Sequence, residues 1–152
     1  MSKVRTGGRE CAGEHKGRER EKRELPVHLA VGAAGEEAAA AYLHKQGLRI
    51  LDRNWRPGRS AGSGGRGLEL DIVAVQGGEL VFVEVKTRQT HKGLEALPAD
   101  NFTAAKRVKL RRAASFYLSE KQAWDSPCRF DLVCVELDPD GAMNLEHFEN
   151  VL

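Results

Sequence analysis

Cysteines are few in this chain, and long apolar runs are absent. The three cysteines, Cys11, Cys128 and Cys134, are odd in number and include no Cys-x-x-Cys pair, so neither a disulfide framework nor a cysteine zinc site is indicated. No apolar run approaches the roughly 18 residues that span a bilayer. The basic N-terminus lacks the apolar core of a secretory signal. We therefore expect a soluble, cytoplasmic protein with no membrane partner.

Acidic and basic residues nearly balance, at 22 Asp and Glu against 24 Lys and Arg. Residues 1–26 hold eight Lys/Arg and five Glu, a net +3, so residues 27–152 carry a net −1. The first segment has too few apolar side chains to offset the entropy of ordering, which predicts a disordered basic tail before one domain over 27–152. Nucleic-acid binding by that domain would have to come from local clustering of charge.

The hydropathy pattern predicts an α/β domain. A flexible Gly/Ser/Arg loop is predicted over 57–67. Gln76-Gly77-Gly78 is typical of a tight hairpin turn, so the strands that flank it should be antiparallel. The element order indicates a mixed β-sheet with helices on both faces. Helices are predicted near 28–46 and 102–121, and strands near 48–53, 68–75, 79–88, 129–137 and 144–148.

Glu36 lies on the apolar stripe of the first predicted helix. At 100° per residue that stripe also carries Leu29, Ala39 and Leu43, whereas Glu37 points away from it. A carboxylate on a buried face is costly unless it is paired or binds a metal. Glu36 is therefore predicted to belong either to a buried ion pair or to a site.

Asp71, Glu84 and Lys86 are charges set in apolar strands. Glu84 and Lys86 share one face of their strand, about 7 Å apart. With Gly77-Gly78 at the turn, Asp71 falls opposite Glu84. Two converging carboxylates raise each other's pKa unless a cation lies between them. That cation is either Lys86, in a structural triad, or a divalent metal, in which case the same residues suit phosphodiester hydrolysis.

The second predicted helix carries lysines where its apolar stripe should continue. Lys106 and Lys109 fall on the stripe with Leu110 and Ala113. Either they extend past apolar neighbours to water, or this end of the helix faces a phosphate backbone beside the site. A further basic side chain, Arg88, follows Lys86 on the same strand face and is a third candidate for nucleic-acid binding.

Six blocks follow one another along residues 30–137 in a specific order: Gly35-Glu36, Arg53-Asn54-Trp55-Arg56, Glu69-Leu70-Asp71-Ile72-Val73, Val81-Phe82-Val83-Glu84-Val85-Lys86-Thr87-Arg88, Lys106 and Arg129-Phe130-Asp131. The chain thereby resembles the YraN-type bacterial proteins, an uncharacterised family of small restriction-endonuclease-like, or PD-(D/E)xK, domains. More distantly, it is similar to archaeal Holliday-junction resolvases. The chain departs from the family pattern in having Leu68 in place of a glycine and a longer 57–67 loop, which bear on substrate access.

The resemblance implies a set of roles. Asp71 and Glu84 would hold the metal, with the Val85 carbonyl as third ligand. Lys86 would be the catalytic lysine, and Glu36 would reach the metal directly or through water. By analogy with the resolvases, a homodimer is the implied assembly.

The sequence thus predicts a restriction-endonuclease-like mixed β-sheet flanked by helices, with a Mg²⁺ (or Mn²⁺) site. The leading hypothesis is an endonuclease that hydrolyses DNA in line, with a metal-activated water assisted by Lys86. Branched, damaged and single-stranded DNA are the candidate substrates. Two alternatives stay open: a non-catalytic nucleic-acid-binding module with the same fold, and a buried Glu-Asp-Lys network in a scaffold protein.

Overall fold

A computed structural model describes residues 27–89 and 102–152 of the chain. The predicted tail over 1–26 and most of the polar stretch between the third strand and the second helix lie outside the described residues. Within them, two α-helices and five strands follow in the predicted order: α1 (Val27–Lys45), β1 (Arg49–Trp55), β2 (Leu70–Gln76), β3 (Glu79–Gln89), α2 (Ala104–Glu120), β4 (Cys128–Leu137) and β5 (Met143–Phe148).

The strands form one mixed sheet in the order β1-β2-β3-β4-β5. The β2–β3 hairpin is antiparallel, as the Gly77-Gly78 turn predicts, and both glycines have positive φ. The pairing of β3 with β4 is parallel, because α2 carries the chain across the sheet between them. The other two pairs are antiparallel.

The helices cover opposite faces of the sheet, so β3 is buried on both sides. Val81, Val83 and Val85 pack under α1, whereas Phe82 packs under α2 against Tyr117. Because both faces of β3 are covered, its apolar residues occupy consecutive positions rather than alternate ones. The predicted α/β fold, with a restriction-endonuclease-like mixed sheet flanked by helices, is confirmed.

The 57–67 segment differs from its prediction. In place of a flexible loop, Arg59–Gly65 forms a 3₁₀ segment interrupted at Gly62, which has positive φ. The Arg112 guanidinium of α2 donates to the Gly64 carbonyl over 2.9 Å. This hydrogen bond holds the segment on the α2 face. The Gly/Ser-rich composition predicted a flexible loop because composition gives no information about a contact with a residue so distant in the chain.

No helix among the described residues is long and apolar enough to cross a membrane. Cys128 and Cys134 are both free thiols. Burial raises the pKa of the Cys134 thiol to about 11, so it is unreactive at neutral pH.

Candidate metal and catalytic centre

The centre lies where the β2–β3 ladder ends. Regular pairing stops at Ile72 and Val83. Continued by one residue, it places Asp71 opposite Glu84 on the α2 face of the sheet. There the backbone N–H of Val85 donates to Oδ2 of Asp71 over 2.8 Å. At this point a side-chain hydrogen bond replaces the next backbone–backbone hydrogen bond of the ladder. It brings the Asp71 carboxylate to the backbone of β3.

Glu84 is the most buried carboxylate of the centre, with 2% of its side chain exposed. Its Oε1 lies 3.1 Å from Nζ of Lys86 and 2.9 Å from Nζ of Lys106. Its Oε2 is buried and has no hydrogen-bond partner within the described part of the chain. Both cations therefore meet one oxygen, while the other is left without a partner that would repay its desolvation.

The ionised form of Asp71 is disfavoured in the fold. Burial, and next the charge of Glu84, raise the pKa of the Asp71 carboxyl to about 7. The Val85 N–H and Lys106 act in the opposite direction, and Glu36 adds a small further rise. The site thus lacks positive charge near Asp71 even with two lysines present, which is the condition that a bound cation would relieve.

Glu36 approaches this centre from α1, on the other face of the sheet. Its neighbour Gly35 lies so close to Thr87 of β3 that a Cβ on residue 35 would overlap the Thr87 side chain. Glu36 is half-buried, whereas Glu37 is exposed and ion-paired with Arg53 at 2.8 Å. Helical phase therefore separated the two glutamates correctly. The charge of Glu36 contributes to the rise in the pKa of Asp71.

The residues fit an open site for a hexacoordinate ion that prefers oxygen ligands and retains water, rather than a closed site in which the protein supplies every ligand. Within 27–89 and 102–152, no three His, Cys, Asp or Glu side chains gather as a ready-made metal group. Mg²⁺ needs only one or two carboxylates, because it retains several waters. Asp71 and the unpartnered oxygen of Glu84 meet that requirement. The Val85 carbonyl adds a third oxygen, since N–H and C=O of one strand residue point to the same side.

The four basic candidates occupy different positions. Lys86 and Lys106 meet at Glu84. Arg88 follows Lys86 on β3 and is ion-paired with Glu136 of β4. Lys109 is exposed, so its predicted place on the buried stripe of α2 is wrong. The buried stripe includes Ala114 and Leu118, which turn its centre away from Lys109.

A basic surface adjoins the centre on the α2 face. It comprises residues 57–67 and 103–118, which contain seven Lys/Arg and no Asp or Glu. The Arg112–Gly64 hydrogen bond joins the two segments. The near-neutral charge of the domain therefore conceals a local cluster of the kind that attracts phosphate. Its basic residues are Arg59, Arg66, Lys106, Arg107, Lys109, Arg111 and Arg112, of which all but the half-buried Lys106 are exposed.

A second polar cluster, which sequence reasoning did not interpret, lies beneath the α1 face. Asp131 of β4 is fully buried. Its carboxylate accepts hydrogen bonds from Nε2 of His147 and from the backbone N–H of Asn150, each over 3.0 Å. Arg129 donates to Asp131 and also reaches Glu79 at 3.0 Å. This network ties the β2–β3 hairpin and the C-terminal segment to β4. The sequence feature that could have predicted this cluster is the Arg129-Phe130-Asp131 block, in which two charged residues flank an apolar one and therefore lie on the same face of the strand.

Asp131 is stabilised as a carboxylate. Burial by itself raises its pKa, but the hydrogen bonds from His147, Asn150 and Arg129 outweigh burial and hold the pKa below its ordinary value. Every partner is a donor, and both Asp131 oxygens are used. In contrast to Glu84, this buried carboxylate has no unmet bonding capacity, so its role is structural.

Comparison with known proteins gives a consistent family. Residues 35–135 match the family model described as "Uncharacterised protein family UPF0102". A "UPF0102 protein" of Oleidesulfovibrio alaskensis is 54% identical over 110 residues, which are 72% of this chain and 50% of that protein. The corresponding protein of Lawsonia intracellularis is 41% identical, with 80% and 83% covered. That of Symbiobacterium thermophilum is 44% identical, with 79% and 93% covered. The chain thus spans half the length of the first relative and most of the other two.

Proposed function

This chain belongs to the uncharacterised protein family UPF0102, as its motifs indicated, and we propose that it is a Mg²⁺- or Mn²⁺-dependent endonuclease acting on DNA. The observation that carries the proposal is the pair Asp71 and Glu84. One carboxyl has a pKa raised to about 7, and the other has a buried oxygen without a partner in the described part of the chain. A purely structural network would satisfy both groups, as the Asp131 network does.

The proposed metal ligands are Asp71, Glu84 and the Val85 carbonyl, and Glu36 is proposed to act on the metal directly or through water, as the resemblance implies. When bound, the metal would supply charge that shields the phosphate and lowers the pKa of a nearby water. Glu84 and Asp71 would hold their positions because the β3 backbone and the Val85 N–H fix them before substrate arrives.

Lys86 is proposed as the catalytic lysine. It projects from β3 on the same face as Glu84, and its side chain is more than one-third exposed, so its ammonium group can meet a phosphate at the surface. There it would orient the attacking water or stabilise negative charge that develops during in-line hydrolysis. Its attraction to Glu84 would keep the ammonium group within reach of the reacting phosphate.

DNA is proposed as the partner because the basic surface lies on the same face as the centre. Exposed Arg and Lys side chains there can each neutralise a backbone phosphate, without reading bases. Branched, damaged and single-stranded DNA remain the candidate substrates. The homodimer implied by the resolvase resemblance and the cytoplasmic setting belong to the same proposal, and light scattering of the purified protein tests the former.

A thermal-shift titration with Mg²⁺ and with Mn²⁺ tests the metal site. We expect a metal-dependent rise in Tm that is lost in Asp71→Asn and in Glu84→Gln. Glu37→Gln is the matched control, since Glu37 neighbours Glu36 but is exposed and paired with Arg53. No metal-dependent stabilisation of the parent protein would refute the metal site.

A non-catalytic nucleic-acid-binding module is the second candidate. It is favoured by the two lysines on Glu84 Oε1, because they neutralise that carboxylate without any metal. Nicking assays on junction, flap and plain duplex DNA separate the two functions. Metal-dependent nicking supports the nuclease, and binding without nicking on all three substrates supports the module.

A further inference from the structure

Lys106 occupies an unfavourable position in α2. Thr103 caps the helix, and its Oγ1 accepts the backbone N–H of Lys106 over 3.3 Å. Lys106 is thus the third helical residue, where a Glu commonly completes a capping box. No acidic side chain offsets it in the first turn, and a cation there is repelled by the positive end of the helix dipole. Local helix energetics therefore do not explain a lysine at this position.

The contact across the layers does explain it. Nζ of Lys106 lies 2.9 Å from Oε1 of Glu84, so α2 supplies a counter-charge to a carboxylate on β3. Removing Lys106 would leave the buried Glu84 carboxylate with Lys86 as its one cationic contact in the described part of the chain, which is destabilising because half of the counter-charge is lost. Lys106 hence stabilises the metal-free protein.

The two lysines on Glu84 differ in how readily they can leave it. Lys86 is attached to the same strand two residues away, so its ammonium group stays near Glu84. Both lysine side chains are about equally exposed, at 38% for Lys86 and 34% for Lys106, but Lys106 comes from a separate layer and is not tied to the strand that carries Glu84. It can therefore turn to solvent, towards the basic surface of its own helix, while Glu84 remains fixed.

We propose that Lys106 is a positioning residue that stands in for the metal on Glu84 and is displaced when the metal binds. This inference rests on the proposed function, since it assumes that Glu84 is a ligand. An ammonium group on Oε1 and a divalent cation on Oε2 would repel each other across the one Glu84 carboxylate, so Lys106 weakens metal binding. Once displaced, its charge is available to a DNA phosphate on the basic surface, which couples metal binding to DNA binding in the favourable sense.

Lys106→Met tests the exchange, because methionine keeps much of the side-chain length without the charge. We expect the Tm of the metal-free variant to fall by roughly 5 °C. The Kd for Mn²⁺, measured by calorimetry without DNA, should decrease by about fivefold or more. Lys109→Met, one turn along α2 and exposed, is the matched control and should leave both quantities unchanged. An unchanged or higher Kd in Lys106→Met overturns the proposal.

A double variant secures the test and separates it from the proposed function. In a Glu84→Gln background, Lys106→Met should lower the metal-free Tm much less than in the parent, because the partner charge is gone. Equal losses in both backgrounds overturn the assigned Glu84 contact. If the parent binds no Mn²⁺, the proposed function and this inference fail together. If it binds Mn²⁺ with the same affinity as Lys106→Met, only this inference fails.

Discussion

The backbone N–H of Val85 donates to Oδ2 of Asp71 over 2.8 Å, one step beyond the last paired residues of the β2–β3 hairpin. This contact fixes the carboxylate next to Glu84 in spite of their mutual repulsion. The repulsion between the two buried carboxylates therefore lowers the stability of the folded protein. Such a cost is expected where an arrangement serves binding rather than stability.

The pH dependence of Asp71→Asn follows from this cost. The pKa of Asp71 rises from 3.8 in the unfolded chain to about 7 in the fold, so ionisation destabilises the folded state as pH rises through that interval. Asparagine avoids the charge and can still accept the Val85 N–H. In EDTA at pH 8, the variant should have a Tm higher than the parent by roughly 3 °C, and the difference should vanish near pH 4. A lower Tm for the variant at pH 8 would contradict the assigned strain.

Lys86→Ala separates metal binding from chemistry. The metal-dependent rise in Tm should persist, because Lys86 is not a proposed ligand. Cleavage should fall by about 100-fold or more, the usual effect of removing one group that stabilises developing charge. Single-turnover cleavage rates at saturating metal measure this effect. If metal-dependent cleavage were intact, the role proposed for Lys86 would be wrong.

Gly35→Ala tests how α1 reaches the centre. The added methyl group would overlap Thr87, so the helix must shift, at a cost of about 1–3 kcal/mol in the free energy of unfolding. Gly32→Ala is the matched control on the same helix: it meets no atom within 4 Å and should stabilise by up to about 1 kcal/mol. Urea denaturation measures both. Equal effects of the two substitutions would show that the proximity of Thr87 is not limiting.

The basic surface is tested by the salt dependence of DNA binding. Lys109→Ala combined with Arg111→Ala removes two exposed charges from α2. The slope of log affinity against log salt concentration should become shallower by about 1 for each phosphate that the protein no longer neutralises. Lys45→Ala, at the exposed end of α1, is the matched control and should preserve the slope. The metal-dependent Tm shift should be unaltered in all of these variants, and an identical slope in the double variant would exclude this surface.

Asp131→Asn tests the second cluster. The pKa of Asp131 lies below 3.8 in the fold, so its ionised form stabilises the folded state above that pH, and this contribution is lost as pH falls further. At pH 7 the variant should lose about 3 kcal/mol of unfolding free energy. The deficit should shrink as pH falls below 3.8, because the carboxyl of the unfolded parent, which has the higher pKa, is protonated first and the parent thereby loses stability. The exposed Asp125→Asn serves as control, and a deficit independent of pH would show that the charge of Asp131 is not what stabilises the fold.

Local patterns predicted the elements and part of the centre. Gly77-Gly78 placed the hairpin turn, and strand alternation then put Asp71 opposite Glu84 because their separation along the chain is short. Helical phase distinguished Glu36 from Glu37 for the same reason. Helical phase failed for Lys109, because the rotation of α2 against the sheet buries Ala114 and Leu118 and leaves Lys109 exposed.

By itself, the sequence determined the α/β fold, the family and the convergence of Asp71, Glu84 and Lys86 on one hairpin. These follow from local periodicity, turn chemistry and motif order. Only the tertiary structure decided that Lys106 reaches Glu84, that one Glu84 oxygen lacks a partner in the described part of the chain, and that Arg112 holds the 57–67 segment on α2. Those interactions join residues far apart in the chain, and packing between layers sets them.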